Sequence, residues 1–62
     1  MKVWVSDNPD PLTVIDGNVL DFAAIWKTCM RTDSLIAVTV KTGKKKTEKL
    51  YLNPHQVTTI GE

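Results

Sequence analysis

The chain predicts a small α+β domain, one amphipathic helix packed on a mostly antiparallel sheet, with elements in the order β-β-α-β-β-β. Three observations carry this. Val19, Phe22, Ala23, Trp26, Cys29 and Met30 fall at i, i+3, i+4, i+7, i+10 and i+11, one unbroken helical stripe. Short runs rich in β-branched residues flank it on both sides, and their side chains alternate at period two. Finally, 62 residues, 42% of them hydrophobic, suffice for one modest core and no second domain.

Lys2-Val3-Trp4-Val5 opens with the valines on one face and Trp4 on the other, the pattern of a strand. Asp7-Asn8-Pro9-Asp10-Pro11 ends it: the prolines fix φ and remove donors, while Asp and Asn side chains favour turn bonds. Leu12-Thr13-Val14-Ile15 reads as a second short strand, closed by Asp16-Gly17. The helix spans residues 19 to 31. Asn18 stands at its N-cap, Asp21 in its first turn, and Lys27 and Arg31 toward its other end, where the helix dipole favours them. Leu20 and Ile25 lie off the stripe.

After a break at Thr32-Asp33, Ser34 to Lys41 forms the best strand of the chain, with Ile36, Val38 and Val40 on its inner face and Leu35 and Ala37 partly covering the other. Thr42-Gly43-Lys44 turns it back into Lys46 to Leu52, completing a hairpin. Asn53-Pro54 makes a corner, and Gln56 to Ile60 a last short strand.

The net charge of +1 is a cancellation. In residues 1 to 26 Lys2 alone offsets Asp7, Asp10, Asp16 and Asp21, a net of -3, whereas residues 27 to 49 carry seven cationic side chains against Asp33 and Glu48, a net of +5. Lys41, Lys44, Lys45, Lys46 and Lys49 concentrate at the hairpin, a patch able to neutralise several phosphates, with Tyr51 beside it to stack on a base. The competing reading is a solvated turn whose lysines keep edge strands from pairing. Trp4, with Asp7 and Asp10 in the loop that follows, forms a second candidate contact surface, since an exposed tryptophan is a frequent interface anchor.

Catalysis has no visible machinery. His55 stands alone without metal-ligand spacing, Cys29 falls on the apolar stripe, Ser6 and Ser34 have no base, and the three glycines are too dispersed for a phosphate loop. The aspartates do not have the spacing of a calcium loop. The chain is therefore expected to be no enzyme and to take no cofactor or metal. One cysteine permits no intrachain disulfide, and neither a signal peptide nor a membrane span is legible, so the expected home is the cytoplasm. In its compactness and lack of catalytic machinery the chain resembles the small accessory proteins of bacteriophages, a likeness of build with no shared motif.

The function expected is that of a small regulatory or inhibitory protein that binds a protein partner through Trp4, Asp7 and Asp10 or through the lysine hairpin. Self-association into a homo-oligomer is expected on physical grounds, because a core of this size yields only about 3 to 5 kcal/mol without disulfide or metal. The alternatives are nucleic-acid binding through the hairpin lysines and Tyr51, or capture of a small phosphorylated ligand between subunits.

Overall fold

The computed structural model describes all 62 residues. Strands β1 (Lys2–Val5) and β2 (Leu12–Thr13) precede helix α1 (Val19–Thr32). Strands β3 (Ile36–Lys41) and β4 (Thr47–Leu52), a single 3-10 turn at Pro54–Gln56, and strand β5 (Val57–Gly61) complete the α+β chain in the predicted order. The turn at Pro54 replaces the simple corner expected from Asn53-Pro54. Its backbone is set by Pro54 and capped by Asn53, whose Oδ1 accepts the His55 N–H at 2.9 Å.

β2, β1 and β5 form one antiparallel sheet in that order, and β3 and β4 a second. The two are stitched together through the continuation of β2: Val14 bridges Val40, and the Ile15 N–H donates to the Thr39 carbonyl at 3.0 Å. The strands thus follow one another as β4, β3, β2, β1, β5, leaving β4 and β5 at the two edges. Between Trp4 and Val5 the β1–β5 register shifts, because Thr58 is an extra residue on β5.

The inner faces meet in one core of Val3, Val14, Phe22, Cys29, Ile36, Val38, Val40 and Val57, with Leu12, Trp26, Leu50, Leu52 and Ile60 packed around it. Burying these side chains removes apolar area from water at about 25 cal/mol per Å². The helix closes the core from β3 across to β5. Phe22 and Trp26 pack with ring centroids 6.5 Å apart, and the Trp26 Nε1–H donates to the Pro54 carbonyl at 2.9 Å. That bond ties the helix to the turn before β5 and satisfies a half-buried indole.

Both helix ends are specified locally. The Asn18 side chain accepts the Asp21 N–H at 2.9 Å, the expected cap, and Gly17 just before it turns the chain at φ +82°, where a side chain would be strained. At the other end Asp33 takes a left-handed conformation with φ 54°, and its N–H returns to the Cys29 carbonyl.

The apolar stripe is centred on Phe22 and Cys29, the two buried helix residues. Met30, expected to pack with them, lies at the margin of that stripe and is exposed. Leu35, expected to help cover β3, precedes the strand and is also exposed, as is Ala37. Leu20, off the stripe, stands 83% exposed on the solvent side of the helix.

Candidate functional site

The two surfaces singled out by the sequence lie at different places. Trp4 belongs to the outer face of the β2-β1-β5 sheet, because Val3 and Val5 turn inward. It is neither core nor free: half-buried, it stands opposite Thr59 and its ring lies over Gly61, whose missing Cβ would sit 3.7 Å from the indole. A glycine on an edge strand leaves a bare stretch of sheet, and a diagonal aromatic covers it. Asp7 and Asp10 are exposed in the loop that follows. Asp7 takes φ 64°, and the Asp10 N–H donates to Asn8 Oδ1 at 3.2 Å, a local Asx turn. Ser6 pins the start of this loop, donating its N–H to the Gln56 carbonyl at 2.7 Å. No hydrogen bond joins Trp4, Asp7 and Asp10 to one another.

The hairpin does gather its lysines. Thr42 donates its N–H to the Lys46 carbonyl at 2.9 Å, closing a tight turn between β3 and β4. Around this turn lies a shallow depression of about 210 Å³, lined by Lys41, Gly43, Lys44, Lys45, Lys46 and Thr47, with the half-exposed Ile15 at its side. No carboxylate lines it. Lys49 and Tyr51 continue the same outer face along β4, opposite Thr39 and Ala37, and Tyr51 is 62% exposed. The hairpin thus carries a concave cationic tip and, further along, one cation followed by one aromatic ring.

Sequence reasoning did not find a second depression, of about 220 Å³, between the start of α1 and β3. Asp16, Asn18 and Asp21 form its polar rim, and Phe22, Ile25, Ile36, Ala37 and Val38 its apolar wall. Asp16 is partly engaged, since its Oδ1 accepts the Thr39 N–H at 2.9 Å. β3 therefore runs from an acidic groove at Ala37 to the lysine tip at Lys41. The sequence showed the charge asymmetry along the chain; that both charges sit beside one strand follows from the bridge between Val14 and Val40, the Asp16–Thr39 bond and the packing of α1 on β3.

His55 and Asp33 meet at 3.1 Å, joining the turn before β5 to the end of the helix. Both are exposed, and the contact is an ion pair only when the imidazole is protonated. Cys29 is buried and its thiol faces the Leu35 carbonyl at 3.8 Å. No three His, Cys, Asp or Glu side chains converge as metal ligands would, and no helix is long and apolar enough to cross a membrane. Comparison with protein-family models, with curated proteins and with solved structures gives no match.

Proposed function

We propose that this chain is a non-enzymatic binding protein that docks through its lysine hairpin onto an acidic surface of a protein partner, and so acts as a regulator or inhibitor in the cytoplasm. The observation that supports this reading is the depression ringed by Lys41, Lys44, Lys45 and Lys46 without a carboxylate among its lining residues. Four ammonium groups on one tight turn repel one another, and an anionic partner relieves that repulsion while its own charge is neutralised. Trp4, Asp7 and Asp10 form a secondary contact at most, because the indole is already engaged over Gly61.

Nucleic-acid binding through the same lysines is the second reading, favoured by exposed Tyr51 two residues from Lys49. A polyanion leaving the tip along β3, however, runs toward Asp16 and Asp21. That geometry favours a compact acidic surface over a long strand. A small phosphorylated ligand would fit the same depression but would need a second wall.

Retention on an immobilised tetraglutamate peptide, short enough to stay on the tip, and on an immobilised single-stranded oligonucleotide separates these readings. The wild-type chain is expected to bind the tetraglutamate peptide, and the triple variant Lys44→Gln, Lys45→Gln, Lys46→Gln to lose that binding while keeping its circular dichroism spectrum. Equal retention of the triple variant, or no retention of the wild type, overturns the proposal. Tighter binding to the oligonucleotide, with a log-log salt slope near -3 as about four neutralised phosphates require, establishes the second reading instead.

A further inference from the structure

β4 is a six-residue edge strand with β3 on one side and no strand on the other. Which of its backbone groups are free follows from the ladder. In an antiparallel pair the N–H and C=O of one residue point the same way, and successive residues alternate. Since the Lys46 carbonyl faces Thr42, the groups of Glu48, Leu50 and Leu52 also face β3. Those of Thr47, Lys49 and Tyr51 point away into solvent. β5, at the opposite edge, is broken by its bulge at Thr58, which spoils it as a template for pairing.

We infer that β4 pairs antiparallel with β4 of a second copy of this chain, about a two-fold axis passing through Leu50. Charge selects that register. Side chains directly opposite in an antiparallel pair share a face, so each two-fold register is centred on one residue. Centring on Glu48 sets Glu48 against itself, centring on Lys49 sets Lys49 against itself, and centring on Thr47 sets Lys45 against Lys49. Centring on Tyr51 or Leu52 leaves three strand residues or fewer in register.

The Leu50 register alone avoids both faults. It puts Leu50 against Leu50 on the inner face, where that side chain is now only half-buried, and Lys49 against Tyr51 twice on the outer face. There each ammonium reaches an aromatic ring, and the free backbone groups of Lys49 and Tyr51 bond one another across the axis. The lysines that shield the edge in isolation therefore do not oppose this particular pairing. Pairing of one short strand from each copy is a small contact beside the interfaces of stable complexes, so the dimer is expected to be weak and populated only at high protein concentration.

Sedimentation equilibrium from micromolar to millimolar protein tests this, with amide exchange on the same samples. The mass is expected to climb from 6.9 kDa toward twice that value, and the Lys49 and Tyr51 amides to exchange more slowly as it climbs. Tyr51→Lys places like charges opposite one another at two positions and should weaken dimerisation about tenfold. Adding Lys49→Glu to that variant converts both to opposite-charge pairs and should restore it. A constant mass at millimolar concentration overturns the inference. So does a dimer indifferent to Tyr51→Lys, a double variant that fails to recover, or exchange independent of concentration. The triple tip variant Lys44→Gln, Lys45→Gln, Lys46→Gln lies outside the paired segment and is expected to dimerise as wild type, so this inference and the proposed function fail separately.

Discussion

Trp4 and Phe22 show how far the worth of an aromatic side chain depends on the face it occupies. Phe22 is 4% exposed among the strand valines, so Phe22→Ala leaves a cavity and is expected to cost about 3 to 5 kcal/mol. Trp4 lies on the outer face and covers a glycine, so Trp4→Ala forfeits a cross-strand contact and part of its area, about 1 kcal/mol. Urea unfolding of the two variants checks the ranking, and a Trp4 variant as damaged as the Phe22 variant would show that the indole supports the core. The alternation in Lys2-Val3-Trp4-Val5 already placed valines and tryptophan on opposite faces. What alternation could not show is the partner: Gly61 is fifty-seven residues away in sequence and reaches the indole only through the β1–β5 register.

At the scale of elements, the helix was the most legible because its signals agree: a cap, a stripe and a charge bias all mark the same segment. Asn18→Ala removes the acceptor of the Asp21 N–H and should cost about 1 kcal/mol. Leu20→Glu replaces an 83% exposed side chain in the first turn, where negative charge suits the dipole, and should leave stability within about 0.5 kcal/mol. Thermal unfolding followed at 222 nm measures both, and a large loss from Leu20→Glu would show that this side chain packs against something. Sequence pattern and structure part where an element meets its neighbour. Met30 satisfies helical period but sits at the edge of the stripe, and period alone does not give the width of the face a sheet can cover. Ser34 and Leu35 have strand propensity, yet the left-handed turn at Asp33 delays the strand to Ile36. Hairpin β3–β4 was legible from alternation and a Gly turn; the 3-10 turn after it was not, since Asn53-Pro54 specifies a corner without specifying its hydrogen bonds.

For the whole molecule, the fold turns a charge asymmetry along the chain into one across a single strand. Asp21 borders β3 at one end, Asp16 reaches its middle at Thr39, and Lys41, Lys44, Lys45 and Lys46 surround the other end, so a ligand's length decides how many of the carboxylates it meets. An acidic surface confined to the hairpin tip stays clear of the acidic groove, and much of what repulsion remains is screened in physiological salt, where the Debye length is about 8 Å. A polyanion laid along β3 meets the carboxylates directly. Asp21→Asn removes one of them with almost no change of shape and keeps a side-chain acceptor beside Asn18, whose Nδ2–H now donates to it at 3.2 Å. Affinity for a tetraglutamate peptide clamped to the tip should then change less than twofold. Affinity for a long oligonucleotide should rise, because one repulsive charge has left its path. Measured by fluorescence anisotropy at two salt concentrations, equal gains for short and long anions would mean that even a short ligand reaches the groove. The docking surface would then extend the length of β3, and Asp16 would belong to it as well.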